Sequence, residues 1–534
     1  MPRGLVPSVL SEERRVCGEL FARGPRAGAG HDEPGVVGDD DRLELPLAAR
    51  VGELVMESDE RVVAALSAAI LGQIHGPKCS VAAPVGPSFG TMAILSPVEM
   101  TETYARRRRA LLDSMAAAEP LSVAVLFAAP VFVRNNDVEH EYRQDSDFFY
   151  LTGFDEPESI AVLDAKDRKL TLFVRPRDRE REVWDGPRAG VDGAKASFGA
   201  DDAEVVSAFD EKIVDLLANR RRIYYRLGQH RPNDDRVLAA IDRVRRRART
   251  GVFAPTEIVD PGRLLHEMRL RKGPQEIAAM KHAAGITKEA HEACMGRARP
   301  GMYEYEVEAL LLDTFRRRGS ERPAYGSIVG SGPNACVLHY RKNDRRIEGG
   351  DLVLIDAGCE YGYYASDVTR TFPAGGSFSR EQQAIYELVL EAQLASIAQV
   401  RPGETLDTIH KRSVDVIARG LVKLGVIQGD AEKIIETEGY KRFFMHRTSH
   451  WLGMDVHDVG AYFVDAKPRP LEPDMVLTVE PGIYIAPDDE TVGAEWRGIG
   501  VRIEDDVRVT PDEPEVFTAR IPKSVEEVRR ACAG

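Results

Sequence analysis

The chain has 534 residues, with 72 basic and 86 acidic side chains for a formal charge of −14; 43 % of residues are hydrophobic and 30 % charged. At about 100–200 residues per domain this length implies several domains with ample core. The composition excludes collagen, a mostly disordered chain and a membrane bundle: no apolar run approaches the ~18 residues of a membrane span, and six cysteines without tight spacing make no disulfide scaffold. Such cysteine usage fits a reducing compartment. Met1 to Arg15 lacks the charged-then-apolar pattern of a secretory signal, so a cytoplasmic location is expected. The acidic balance argues against nucleic acid as the main partner, and no membrane partner is expected.

Residues 1–99 read as a largely disordered or loosely docked extension, with a small domain as the alternative. FARGPRAGAGHDEPGVVGDDDR (21–42) is rich in Gly, Pro and Asp and cannot bury enough apolar surface to offset chain entropy. Leu47 to Leu71 is apolar enough for a helix or two, and Gly76 to Pro97 returns to Gly/Pro punctuation. From Tyr104 the pattern sharpens. Tyr104 to Met115 is apolar at helical spacing, and VAVLFAAP (123–130) reads as a buried strand. RQDSDFFYLTGF (143–154), SIAVLDA, KLTLFVRP and RRIYYRLG supply further expected strands. A helix is expected over Ala203 to Arg220. This alternation predicts an α/β layer domain ending near Pro261, and we set its bounds at 100–268. The arginine runs 106–109, 220–222 and 245–247 are expected on solvated helix faces or subunit contacts.

Residues 269–534 change style. Proline at 274, with Glu276 close behind, opens a helix to about Arg297; a second covers Tyr303 to Arg318. Gly330 to Phe372 is strand-rich, Gln382 to Leu424 is helical with a break at Pro402 and Gly403, and Phe443 to Val509 is strand-rich again. Runs of helix and of strand predict an α+β domain with an antiparallel or mixed sheet.

The chemistry concentrates between Gly330 and Asp506. DLVLIDAG (351–358) is an apolar strand interrupted by Asp356. CEYGYYASDVTRTF (359–372) turns at Gly362 and returns with Asp367, so the two aspartates are expected to face each other across neighbouring strands, although a single strand aspartate is usually a turn or edge residue. HRTSHWLGMDVHDVG holds His446, His450 and His457, three of the chain's twelve histidines in one glycine-punctuated stretch. VLTVEPGIYI (476–485) is an apolar strand interrupted by Glu480, and GVRIEDDVRV (500–509) alternates, with Arg502 and Glu504 on one face. Clustered buried carboxylates repel, so they must share protons or bind divalent cations. Four carboxylates and one imidazole suffice for two metals if two carboxylates bridge, and oxygen-rich ligation favours manganese or magnesium. Two such ions can activate a water and polarise a carbonyl, the chemistry of metal-assisted hydrolysis.

These residues resemble a known family. YRQDSDFFYLTGFDEPE (142–158), HEMRLRKGPQEI (266–277), IVGSGPNACVLHY (328–340), DLVLIDAGCEYGYYASDVTRTFP (351–373), SHWLGMDVHDVG (449–460), LEPDMVLTVEPGIYI (471–485) and RGIGVRIEDDV (497–507) are similar to bacterial Xaa-Pro aminopeptidase (aminopeptidase P) of the pita-bread superfamily. The likeness runs from about Met100 to Val528, roughly four-fifths of the chain. It implies an α+β fold with an α/β creatinase-like N-terminal domain and a C-terminal pita-bread domain (269–534) holding two divalent ions, usually Mn2+. Asp356, Asp367, His450, Glu480 and Glu504 would be the metal ligands. Asp367 and Glu504 would bridge, Asp356 would serve one ion, and His450 and Glu480 the other. A bridging hydroxide would attack the first carbonyl of a peptide substrate with proline in second position, with Glu480 accepting the proton. His457 and His339 would hydrogen-bond the substrate, and His446, Arg502 and Tyr484 would line or support the proline-side pocket. Trp184 matches a tryptophan that reaches a neighbouring subunit's site, which implies a homodimer or homotetramer; plain packing is the alternative. Cys336 and Cys359 read as small packing residues. Family members commonly have glycine where Arg447 follows His446, so Arg447 is expected either to be strained or to project into the cleft. Prolidase, which cleaves Xaa-Pro dipeptides, shares fold and ligands. Non-catalytic pita-bread proteins generally lose ligands that are all present here. Met100, where the likeness begins, is expected to be the functional start, or residues 1–99 to be dispensable.

Overall fold

The computed structural model describes residues 97–533. The expectations for 1–96 fall outside the described residues. The chain opens with helix α1 (Pro97–Ala118), then strand β1 (Ser122–Phe127), helix α2 (Ser146–Thr152), strands β2 (Ile160–Asp164) and β3 (Lys169–Val174), and helix α3 (Arg179–Asp185). Strand β4 (Asp202–Val205), helix α4 (Phe209–Leu217), strand β5 (Arg222–Tyr224), helix α5 (Arg231–Arg245) and strand β6 (Glu257–Val259) complete a six-stranded mixed sheet ordered β4-β3-β2-β1-β5-β6. β1–β2 and β2–β3 are antiparallel, while β3–β4, β1–β5 and β5–β6 are parallel.

Both faces of this sheet are buried. Val123 and Val125 pack with Phe209, Ile213, Val237 and Ile241, whereas Ala124 and Leu126 pack with Leu111, Met115, Phe148 and Leu151. The alternation follows from the strand's two-residue period. The second cluster also takes in Tyr363, Tyr364, Leu452 and Met454, so the α1 face of the sheet shares a core with the C-terminal half.

Three sequence expectations change here. RQDSDFFYLTGF forms α2 rather than a strand: Asp145 caps it by accepting from the Phe148 N–H at 2.9 Å, and Gly153 closes it at φ 64°. The expected helix over 203–220 begins instead as β4, which hydrogen-bonds along β3; the helix starts only at Phe209. Arg107 and Arg108 are buried rather than solvated. Arg107 lies 4.0 Å over the Tyr150 ring and 3.4 Å from Glu276, and Arg108 donates to Leu151 O at 2.9 Å.

Helix α6 (Gly262–Leu270) leads into α7 (Pro274–Arg297) and α8 (Glu304–Arg317). Strands β7 (Ile328–Ser331), β8 (Leu352–Asp356) and β9 (Thr369–Pro373) form an antiparallel sheet. Helices α9 (Arg380–Ile397) and α10 (Leu406–Lys423) follow. Then β10 (Val476–Val479) pairs antiparallel with β13 (Asp505–Arg508), and β11 (Gly482–Tyr484) with β12 (Gly500–Arg502). Ala283, Ile286, Phe315, Ile385, Val389 and Ile417 from the four long helices bury Val353, Ile355 and Phe372 of the sheet. The helices therefore cover one face, and the other is free to carry polar groups. Among the described residues no helix is long and apolar enough to cross a membrane.

Candidate metal and peptide site

The carboxylates expected inside regular strands stand at interruptions of them. The segment 476–485 breaks at Glu480–Pro481, where proline has no N–H for a ladder bond, and its partner breaks at Ile503–Glu504. Val479 pairs with Asp505 and Gly482 with Arg502, so Glu480 and Glu504 occupy facing gaps between two short ladders. Asp356 ends β8 and is paired with Thr369, not with Asp367. Asp367 lies two residues earlier, in irregular chain after the Gly362 turn, and its N–H donates to Asp506 at 3.2 Å.

These four carboxylates meet His339, His446, His450, His457 and Arg502 around one cavity of about 280 Å³. Ligand atoms of Asp367, His450 and Glu504 all fall within 4.8 Å of one another. His450 Nε2 lies 3.3 Å from Asp367 and 3.6 Å from Glu480. Its Nδ1 is 3.0 Å from Trp451 O, which fixes the N–H on that nitrogen and turns Nε2 toward the carboxylates.

Tyr484 stands behind the cavity. Arg502 donates to the Tyr484 hydroxyl at 2.9 Å, and that hydroxyl donates to His446 Nε2 at 2.9 Å. His446 Nδ1 in turn lies 2.8 Å from Arg447 O, so His446 is a neutral imidazole protonated at Nδ1; burial holds its pKa down at about 4. Arg502 also donates to Asp356 at 2.6 Å and to the Thr369 hydroxyl at 2.9 Å, and Thr369 donates to Glu504 at 2.6 Å.

Trp184 is not brought to the cavity. It is 85 % exposed on α3, a helix with no buried residue. Arg447 is not among the residues with positive φ, so it carries no backbone strain. Its exposed side chain borders the cavity and pairs with Asp407 at 3.2 Å. Cys359 is buried and Cys336 partly so, and burial pushes both thiols up to about 12, as inert packing residues require.

Sequence reasoning missed Tyr325 and Thr369. The Tyr325 hydroxyl lies 2.6 Å from Asp356 and 2.5 Å from Asp367, and Thr369 links Arg502 to Glu504. Neither stands out by spacing. Tyr325 is an isolated aromatic before β7, and a threonine suits any strand.

The electrostatics define what the site needs. Burial pushes the Glu480 carboxyl up to about 7 against the pull of His450 and Arg502; burial also raises Asp356, and Glu504 still more, with Asp367 adding repulsion. Burial alone would depress His450, but its hydrogen bond with Asp367 and the charge of Glu480 outweigh it and lift the imidazole to about 9. Four carboxylates, three buried and Glu480 half-buried, thus face one guanidinium and one imidazole, and protons or divalent cations must supply the remaining positive charge. The donor set is oxygen-rich with a single oriented nitrogen, and it fits a divalent ion.

Comparison with known proteins agrees with this geometry. Residues 278–511 match metallopeptidase family M24, and residues 104–224 match the aminopeptidase P N-terminal domain. The chain belongs to metallopeptidase family M24, with an aminopeptidase P N-terminal domain ahead of the peptidase domain. It is 45 % identical to the Xaa-Pro aminopeptidase of Escherichia coli over 80 % of this chain and 96 % of that one. It is 41 % identical to that of Haemophilus influenzae over 80 % and 96 %. Aminopeptidase PepP of Pseudomonas aeruginosa superposes with a TM-score of 0.79 at 53 % identity, covering 81 % of this chain and 98 % of that one. A zinc-substituted aminopeptidase P from E. coli, in complex with product, superposes equally well at 44 % identity over 81 % and 98 %.

Proposed function

We propose that this chain is a metallo-aminopeptidase that releases the N-terminal residue of peptides with proline in second position. The observation that carries the reading is the single cavity that gathers Asp356, Asp367, His450, Glu480 and Glu504 beside His339, His446 and His457. The names of its relatives, E. coli Xaa-Pro aminopeptidase above all, point to the same reaction.

Asp356, Asp367, His450, Glu480 and Glu504 are assigned as the ligands of two divalent ions, with manganese the best match to the donor set. When bound, such ions lower the pKa of a water and polarise the scissile carbonyl. Glu480 borders the reaction space and takes the proton of the attacking water. His457 and His339 hydrogen-bond the substrate carbonyl and the charge that develops on it. Arg502, held on Asp356, Thr369 and Tyr484, keeps Asp356 oriented and with His446 lines the proline side.

We place the domains at 100–268 and 269–534, with Met100 the functional start or residues 1–99 a dispensable extension, and the protein in the cytoplasm as a homodimer or homotetramer. The exposure of Trp184 supports its assignment to a contact with a second copy. The test is hydrolysis of an Xaa-Pro-Xaa tripeptide with added manganese, alongside metal analysis. Turnover that is lost in Glu480→Ala, with about two ions per chain, is the expected result. An inactive native protein, or full activity in Glu480→Ala, refutes the reading. An Xaa-Pro dipeptide cleaved faster than the tripeptide would make it a prolidase instead.

A further inference from the structure

The histidine loop has little structure of its own. Residues 449–460 form neither helix nor strand; the bridge between Trp451 and Leu477 and a hydrogen bond from His450 N–H to the Thr478 hydroxyl at 3.2 Å tie the His450 end to β10. His450 and His457 meet edge to face with ring centroids 4.4 Å apart. Among the described residues the His457 ring makes no hydrogen bond, so its position depends on the residues that flank it.

Those flanks are gripped from outside the loop. Arg269, at the end of α6 and 2 % exposed, donates to Asp458 at 2.7 Å and Asp455 at 2.8 Å through Nη2, and to Asp147 of α2 at 2.7 Å through Nη1. Lys272 adds a buried ammonium on the other oxygen of Asp458 at 3.0 Å. On the N-terminal side, Ser146 donates to Asp455 at 2.6 Å and Arg143 to Met454 O at 2.7 Å. The carboxylates two positions before and one after His457 thus share a single guanidinium. Gly453 is part of the same fit: a Cβ there would stand 2.1 Å from Asp458 Oδ2 and 2.9 Å from Lys272 Cε.

We propose that Arg269 is a positioning residue for the peptidase reaction: by clamping Asp455 and Asp458 to Asp147, it sets where His457 meets the substrate. The inference rests on the peptidase reading above. It also gives the N-terminal motif RQDSDF a task in the C-terminal site, because three of its residues hold the loop. A lysine at 269 keeps the charge but cannot span three carboxylates, and a displacement of about 1 Å in a substrate-contacting group costs on the order of 100-fold in rate.

The experiment compares Arg269→Lys in the native and the His457→Ala backgrounds on an Xaa-Pro-Xaa tripeptide with manganese. The expected result is a loss of about 10- to 100-fold in kcat in the native background, with KM and bound metal unchanged, and under about threefold in His457→Ala. An equal loss in both backgrounds, or none in the native one, overturns the proposal. Hydrogen exchange of the 452–460 peptide provides a readout that needs no activity. Arg269→Lys should speed exchange there about tenfold while strand 352–356 stays protected, and unchanged protection also overturns it. If Arg269→Lys fails to fold, Asp455→Asn removes one arm of the clamp and carries the same comparison, with losses of about 3- to 10-fold. A native protein that cleaves no tripeptide would refute the peptidase reading alone, leaving the exchange measurement to judge the clamp.

Discussion

Arg370 offers the sharpest test of how the site is built. It sits on β9 with its side chain fully buried, against an equally buried Asp505 on β13 at 2.8 Å. The guanidinium also donates to the carbonyls of Thr369 at 3.0 Å, Glu504 at 2.5 Å and Pro522 at 3.1 Å. Burial alone would raise the Asp505 carboxyl, but Arg370 and Lys523 hold it well below the usual carboxylate range. Arg370→Met keeps the volume and removes the charge. Losing one partner of a buried pair costs about 3–5 kcal/mol, and each orphaned carbonyl adds about 1–3 kcal/mol unless water reaches it. Lys523 remains on Asp505 at 2.5 Å and offsets part of this, so the expected loss is about 4 kcal/mol. Urea denaturation followed by far-ultraviolet circular dichroism at pH 7 measures it. Because Arg370 also fixes the backbone on either side of Glu504 and Thr369, metal affinity should fall by about 10- to 100-fold. In the double variant Arg370→Met/Asp505→Asn the fully buried pair is gone, leaving only the Lys523 ammonium on Gln393, and the cost should be at least about 2 kcal/mol less than the two single costs summed. A loss below about 1 kcal/mol in the single variant, or additive costs in the double, would show that the pair does not hold β9 to β13.

Two further outcomes follow from the same geometry. Tyr325→Phe removes a hydroxyl that lies against both Asp356 and Asp367, and should lower metal affinity about 10- to 100-fold with little change in thermal midpoint; a metal titration that superimposes on the native curve refutes this. His291 is buried on α7 with Nε2 at 2.9 Å from Ala357 O, while Nδ1 has no partner for a second proton among the described residues, and burial holds its pKa down at about 4. The unfolded chain therefore binds the proton first, so stability is lost as pH falls from about 6.5 toward 4. This amounts to about 2 kcal/mol between pH 7 and pH 5, an increment that should be missing from His291→Gln when urea midpoints are compared. Equal pH slopes in the two proteins would refute it.

Much of the fold was legible because its signals are local. Proline at 274 and the apolar period behind it placed α7 within a residue of where it lies, and the breaks at Pro402 and Gly403 separated α9 from α10. Failures arose where two local signals competed. Phe148, Phe149 and Leu151 carry strand-like apolar content, but Asp145 and Gly153 cap the segment at both ends, and capping won. Asp202–Val205 has helical composition, and the free edge of β3 recruited it.

The site divides the same way, along a line set by charge. Asp356, Glu480 and Glu504 were legible because a carboxylate inside an apolar run is costly to bury and so declares a purpose. The residues that make those carboxylates work are not anomalous where they stand. Tyr325 and Thr369 are ordinary beside strands, and Arg269 and Lys272 look like the polar end of a surface helix, yet both basic groups are buried. Their meaning depends on Asp147 and Asp458, 122 residues before and 189 after Arg269, coming to the same guanidinium. Sequence spacing carries no trace of a contact that only the packing of α2, α6 and the histidine loop creates. A buried charge can be recognised from one stretch of chain only when its neighbours there are apolar; when its neutralising partners lie in other elements, the fold has to be known first.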